Sequence, residues 1–170
     1  VYGIKVNAAT GYTGAVTLGA DTRLTASTAT FNGNINGAYG LAITGNAVLG
    51  DSATDTVNLS GSGKNLTVSG TSRINAGTVT TSGSQVYTGA LTIGSNVSLV
   101  GNGMTFGANV NGSGSSQLNI ASTGSTTFNG VIEGGVAVTG SGVTGSNTPR
   151  VQSNYTIMVG RIIVQNMLRL

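Results

Sequence analysis

Asp51 and Asp55, in the stretch GDSATD over residues 50–55, are the only two of the four acidic residues that lie close together in the chain. A carboxylate pair can serve as acid and base across a glycosidic bond, or as weak oxygen ligands for calcium. Neither chemistry gathers support from the surrounding sequence. No GGxGxD nonapeptide or EF-hand spacing accompanies the pair, and Asp21 and Glu133 stand alone. A solvated corner is the plainer reading.

The rest of the composition narrows the chemistry further. The chain has no His and no Cys. Ser–His and Cys–His nucleophiles, histidine or thiolate zinc sites and disulfides are therefore excluded. Glycine-rich stretches such as GSGSS and TGSGVTG lack the GxxxxGK[ST] order of a phosphate loop and read as corners. No catalytic residue, cofactor or metal site is expected.

Net charge is +3, but Lys5, Arg23, Lys64 and Arg73 balance Asp21, Asp51, Asp55 and Glu133. The excess comes from Arg150, Arg161 and Arg169, which are too scattered to form a basic stripe, so nucleic acid is not an expected partner. No apolar run reaches the roughly 18 residues of a spanning helix. The most hydrophobic segment, residues 157–170, is broken by Arg161 and Arg169. The start of the chain has neither the basic nor the apolar region of an export signal.

Gly, Ser, Thr and Asn make up about half the chain, with 29 Gly, one Pro and a mean hydropathy of +0.20. Collagen needs a strict glycine triplet, and disordered chains are poor in β-branched residues. Val, Ile and Thr among this many turn residues instead imply short strands separated by corners.

The strands recur. Residues 12–37 match residues 87–112 at 12 of 26 positions without gaps, beginning YTGAVTLG and YTGALTIG. Within this long repeat, the apolar pairs Val16/Leu18, Leu41/Ile43, Leu66/Val68 and Leu91/Ile93 recur at one constant step, a third of the long one. Leu24, Leu49, Ile74 and Leu99 form a second column at the same step, and Phe31, Thr56, Thr81 and Phe106 a third. An i, i+2 apolar pair is a strand with one buried face. A fixed period without intervening helices predicts stacked coils, with each residue lying over its counterpart one step earlier. The expected fold is all-β, a parallel β-solenoid (right-handed β-helix) of about 25 residues per coil. Five to six such coils would fill residues 1–145.

Residues between the apolar pairs point outward, which predicts a weak threonine ladder of Thr17, Thr67 and Thr92, interrupted by Ala42. After residue 145 the Gly/Thr character ends, and residues 146–170 are expected to be a C-terminal cap or a subunit-docking segment. The apolar residues of the two ends, Tyr2, Ile4, Val6, Ile157, Val159, Ile162, Val164 and Leu168, are candidate assembly contacts.

The motif Tyr-Thr-Gly-x-x-Thr-x-Gly, at 12–19 and 87–94, resembles the strand repeats of bacterial autotransporter passengers. TATFNGNING, MTFGANVNG and TTFNGVIEGG are similar to repeats of filamentous-haemagglutinin-like exoproteins. The resemblance spans residues 10–145. It implies a right-handed parallel β-helix at the bacterial cell surface or outside the cell, with adhesion as a common role. The chain is short for such passengers. The functional expectation is a non-enzymatic adhesin or stalk whose partners are cell-surface glycans or proteins. The alternative is a subunit that polymerises with itself into an extracellular filament. Ice binding along the threonines and polysaccharide cleavage at Asp51 and Asp55 are weaker alternatives.

Overall fold

The structure, a computed structural model, describes residues 2–5, 8–144 and 158–163, with side chains described over residues 8–140. All described secondary structure is β, in 19 strands. Every pairing is parallel, and the pairings resolve into three ladders around one core.

The first ladder stacks β1 (Tyr2–Lys5), the start of β4 (Thr22–Phe31), the start of β6 (Leu41–Leu49), β8 (Leu66–Val68), β11 (Gln85–Tyr87), β14 (Met104–Phe106) and the end of β16 (Gln117–Phe128). The second takes β2 (Thr10–Tyr12), the ends of β4 and β6, β9 (Ser72–Ile74), β12 (Leu91–Ile93), β15 (Val110–Gly112) and β17 (Ile132–Glu133). The third holds β3 (Val16–Thr17), β5 (Ile35–Gly37), β7 (Thr56–Leu59), β10 (Thr78–Thr81), β13 (Val97–Gly101), the start of β16, β18 (Ala137–Thr144) and β19 (Met158–Ile163). The chain is therefore a parallel β-solenoid, as its apolar spacing predicts.

The coil itself is shorter than expected. It closes in about 20 residues and makes about 7 turns, more than the five to six that the sequence step predicts. The difference has a geometric cause. A coil has three faces, and a strand with its corner occupies about a third of the coil on each. The sequence step is therefore one coil plus one face. Val16 lies on the third ladder, Leu41 and Leu66 on the first, Leu91 on the second and Leu118 on the third. Only Leu41 and Leu66 stack directly. Leu91 instead stacks on Ser72, one coil below it.

Leu41 and Leu66 meet because their coil is longer than its neighbours. Its two extra pieces are corners, residues 50–55 and 60–65, where other coils turn in about half that length. Gly50 opens the first with φ +77°, a conformation open to glycine, and a Cβ there would lie 2.8 Å from the Ala76 nitrogen.

Inward residues alternate with outward ones along each strand, as in Val97–Gly101, where every second residue is buried. Leu49, Leu59, Leu66, Ile74, Ile93 and Leu99 are fully buried. Each such side chain contributes about 1.5–3 kcal/mol by leaving water. Rings stack from coil to coil: Tyr12 on Phe31 at 4.9 Å between centroids, Tyr87 on Phe106 at 5.7 Å, and Phe106 on Phe128 at 4.5 Å.

Asparagine holds the corners. The side-chain oxygens of Asn34, Asn46, Asn65, Asn96 and Asn109 accept the backbone N–H of Thr56, Thr71, Ser84, Gln117 and Val131, each one coil further on. Strand ladders satisfy the backbone along each face but leave corner donors over, and these amides take them up.

Candidate functional site

One of the two extended corners builds the most marked feature of the surface. In the turn over residues 60–65, Lys64 N donates to Gly61 O at 3.2 Å and to Ser82 Oγ at 2.9 Å. The Lys64 side chain then reaches back across two coils to Asp21, its Nζ 2.9 Å from both carboxylate oxygens. Asp21 Oδ1 also accepts Gly40 N at 2.8 Å. That backbone hydrogen bond, followed by the Lys64 ammonium, holds the Asp21 carboxyl below its ordinary pKa. The Lys64 ammonium also sits 5.9 Å from the centroid of the Tyr39 ring.

Between these coils lies an open groove of about 290 Å3 on the first face. Its cause is side-chain size. Arg23, Ala42 and Thr67 are consecutive rungs of one outward column. The neighbouring corner column runs Asp21, Gly40, Asn65. In both columns the middle coil carries the smallest residue, so Gly40 and Ala42 form the floor of a trough. Arg23 is exposed and has no partner among the described residues, whereas both Asp21 oxygens are engaged. Asn65 Oδ1 accepts Ser84 N, which leaves its Nδ2 group turned to no described partner.

A second surface is built of hydroxyls and amides. On the third face, Thr56, Thr78, Ser98, Asn119 and Thr139 form one outward column over five successive coils. Asn119 Nδ2 donates to Ser98 Oγ at 3.3 Å, and Thr139 Oγ1 donates to Asn119 Oδ1 at 3.2 Å. Beside it runs a second column of Thr17, Asn36, Asn58, Thr80, Val100 and Ala121. None of these residues is charged, and the second column continues through Ser141 to Arg161 in β19.

The structure does not bring the predicted threonines together. Thr17 lies on the third face, Thr67 on the first and Thr92 on the second, where its rung neighbours are Arg73 and Asn111. The continuous hydroxyl and amide column is a different set, visible only once the coil length is known.

Asp51 and Asp55 occupy the other extended corner. One Asp55 oxygen accepts Asp51 N and Ser52 N, each at 3.0 Å, and so closes that turn on itself. Of the candidate assembly residues, Tyr2 and Ile4 fall in β1, and Val159 and Ile162 in β19. Val6, Ile157, Val164 and Leu168 lie outside the described residues.

Among the described residues there is no group of three or more acidic, His or Cys side chains able to hold a metal. No described helix is long and apolar enough to cross a membrane. No protein-family model matches the chain, and no curated protein or solved structure matches it.

Proposed function

We propose that this chain is a non-enzymatic β-solenoid of the cell surface or extracellular space, acting as an adhesin or as the stalk that carries one. The observation that supports this reading is the uncharged column Thr56–Thr78–Ser98–Asn119–Thr139, partly cross-linked by its own hydrogen bonds. Its side chains are held at the spacing of the coils, about 4.8 Å. A partner meeting this row finds donors and acceptors already in place, so little side-chain freedom is lost on contact. Hydroxyl-rich cell-surface glycans offer the complementary groups. The carboxylates, by contrast, serve structure: Asp21 joins coils, and Asp55 closes a turn.

The test is binding of the purified protein to glycan arrays and to cells. Asn119→Lys and Thr78→Lys place charge on the third face without touching the core, and both are expected to abolish adhesion while leaving the melting transition intact. Undiminished adhesion by both variants would overturn this use of the face.

A second reading, a subunit of an extracellular filament, draws on the ends. β1 pairs only with β4, and β19 only with β18, so each end presents an open strand edge among the described residues. At the N-terminal end a cavity of about 170 Å3 reaches the core beside Tyr12, Val16, Leu18, Leu24 and Phe31. Unlike ends meeting head to tail give an open polymer unless the rotation closes. Electron microscopy separates the two readings, with isolated rods roughly 30–35 Å long favouring the first and continuous fibres the second.

A further inference from the structure

We infer that the groove of Arg23, Ala42 and Thr67 is a binding site for a carboxylate-bearing sugar of the uronate class. The inference rests on the adhesin reading and names the ligand of another face. The unengaged groups around the trough favour an anion at one end. Arg23 has a free guanidinium, whose planar fork matches a carboxylate in two parallel hydrogen bonds. Arg23 makes no ion pair with Asp21 among the described residues, and the Asp21 carboxylate is engaged by Lys64 and Gly40 N–H. The three charges of the groove sum to +1.

The other end is neutral and hydrogen-bonding. Asn65 Nδ2 and the Thr67 hydroxyl stand two rungs from Arg23, about 10 Å away along the axis. A compact anion such as sulfate would engage Arg23 alone. A sugar ring carrying a carboxylate spans the distance, with its hydroxyls at Asn65 and Thr67 and its C–H face over the Ala42 methyl. The volume of about 290 Å3 lies at the low end for small-ligand sites and suits a ring or two of an oligosaccharide passing through an open trough.

The probe is a β-1,4-linked glucuronate tetramer, titrated calorimetrically at low ionic strength beside cellotetraose, its carboxyl-reduced counterpart. Saturable binding of the acidic tetramer is expected, with cellotetraose weaker by about tenfold or more. Arg23→Gln is expected to lose about tenfold in affinity, and Arg23→Lys to retain part of it. Ala42→Trp fills the floor and is expected to abolish binding. Arg73→Gln, on the second face, is expected to leave binding unchanged.

Equal affinity for cellotetraose, full binding by Arg23→Gln, or equally tight binding of a poly-glutamate peptide would each overturn the assignment. Arg23 is exposed, so its variants decide the matter even if Ala42→Trp fails to fold. Cell adhesion that persists and still responds to third-face variants, without uronate binding, would remove the groove alone. Loss of adhesion altogether would remove the reading beneath it.

Discussion

Tyr87 donates its phenolic hydrogen to Gln85 Oε1 at 2.8 Å inside the core, and the Gln85 amide donates to the carbonyls of Val79 and Val100 at 3.0 and 2.9 Å. Both side chains are fully buried, yet both donors of the glutamine amide are used. Replacing Gln85 by Leu keeps the bulk and orphans the phenol, with an expected loss of about 2–4 kcal/mol. Urea unfolding at neutral pH measures it. An unchanged midpoint would mean the network adds nothing.

The same phenol predicts an alkaline limit. Burial pushes the Tyr87 pKa far above the ordinary 10.0. Below that ordinary value both folded and unfolded chains hold the proton, and stability does not depend on it. Above it, the unfolded chain loses the proton while the folded chain keeps it, so stability falls by about 1.4 kcal/mol per pH unit. Tyr87→Phe removes this slope, though it starts from a lower stability because Gln85 Oε1 loses its donor. Denaturation curves from about pH 9 to pH 12 for both proteins check the sign.

Coil length is open to a deletion test. Removing residues 85–103 takes out β11, β12 and β13, one full coil of three faces. The remaining strands keep their ladders, since β14 then stacks on β8 and β15 on β9. Removing residues 85–109 takes a fourth face as well and moves β15 from the second ladder to the first. The shorter deletion is expected to melt cooperatively at a somewhat lower temperature, as for the loss of one repeat from a stack. The longer one is expected to lose that cooperativity. Circular dichroism melts distinguish them, and equal behaviour would refute the three-face phase.

At the corners, Asn34→Ala, Asn46→Ala and Asn109→Ala each leave a backbone donor unmet, at an expected cost of about 1 kcal/mol. Aspartate at these positions keeps the accepting oxygen and is expected to be milder. The sites are on separate coils, so a triple variant is expected to lose close to the sum. Equilibrium unfolding of the four proteins tests this.

Much of the fold was legible because burial leaves a direct trace: Leu66/Val68 and Leu91/Ile93 alternate as half-buried strands must. The coil length was obscured because its three faces are nearly interchangeable in length and composition. A duplicated block can then settle on whichever face comes next. The true spacing was nonetheless written in the rings, since Tyr12 and Phe31 have the same separation as Tyr87 and Phe106, and both pairs stack. The groove was not legible. Arg23, Ala42 and Thr67 share a column only because a short coil is followed by a long one, whose length comes from corners without a periodic signature. Lys64 and Asp21, 43 positions apart, carry no local sign that they meet.

The mismatch between the sequence step and the shorter coil acts as a vernier. Each duplicated block comes to rest mostly rotated by a third of a turn from its parent, as Leu66 on the first ladder and Leu91 on the second show. Related side chains are thereby dealt around the rod instead of piling up along one edge. A long file of identical residues would let two rods zip together side by side, as sequences do in cross-β fibres. The rotation breaks every such file after a few rungs. It also leaves the rod with outward columns that differ from side to side, a charged trough on the first and a column of hydroxyls and amides on the third.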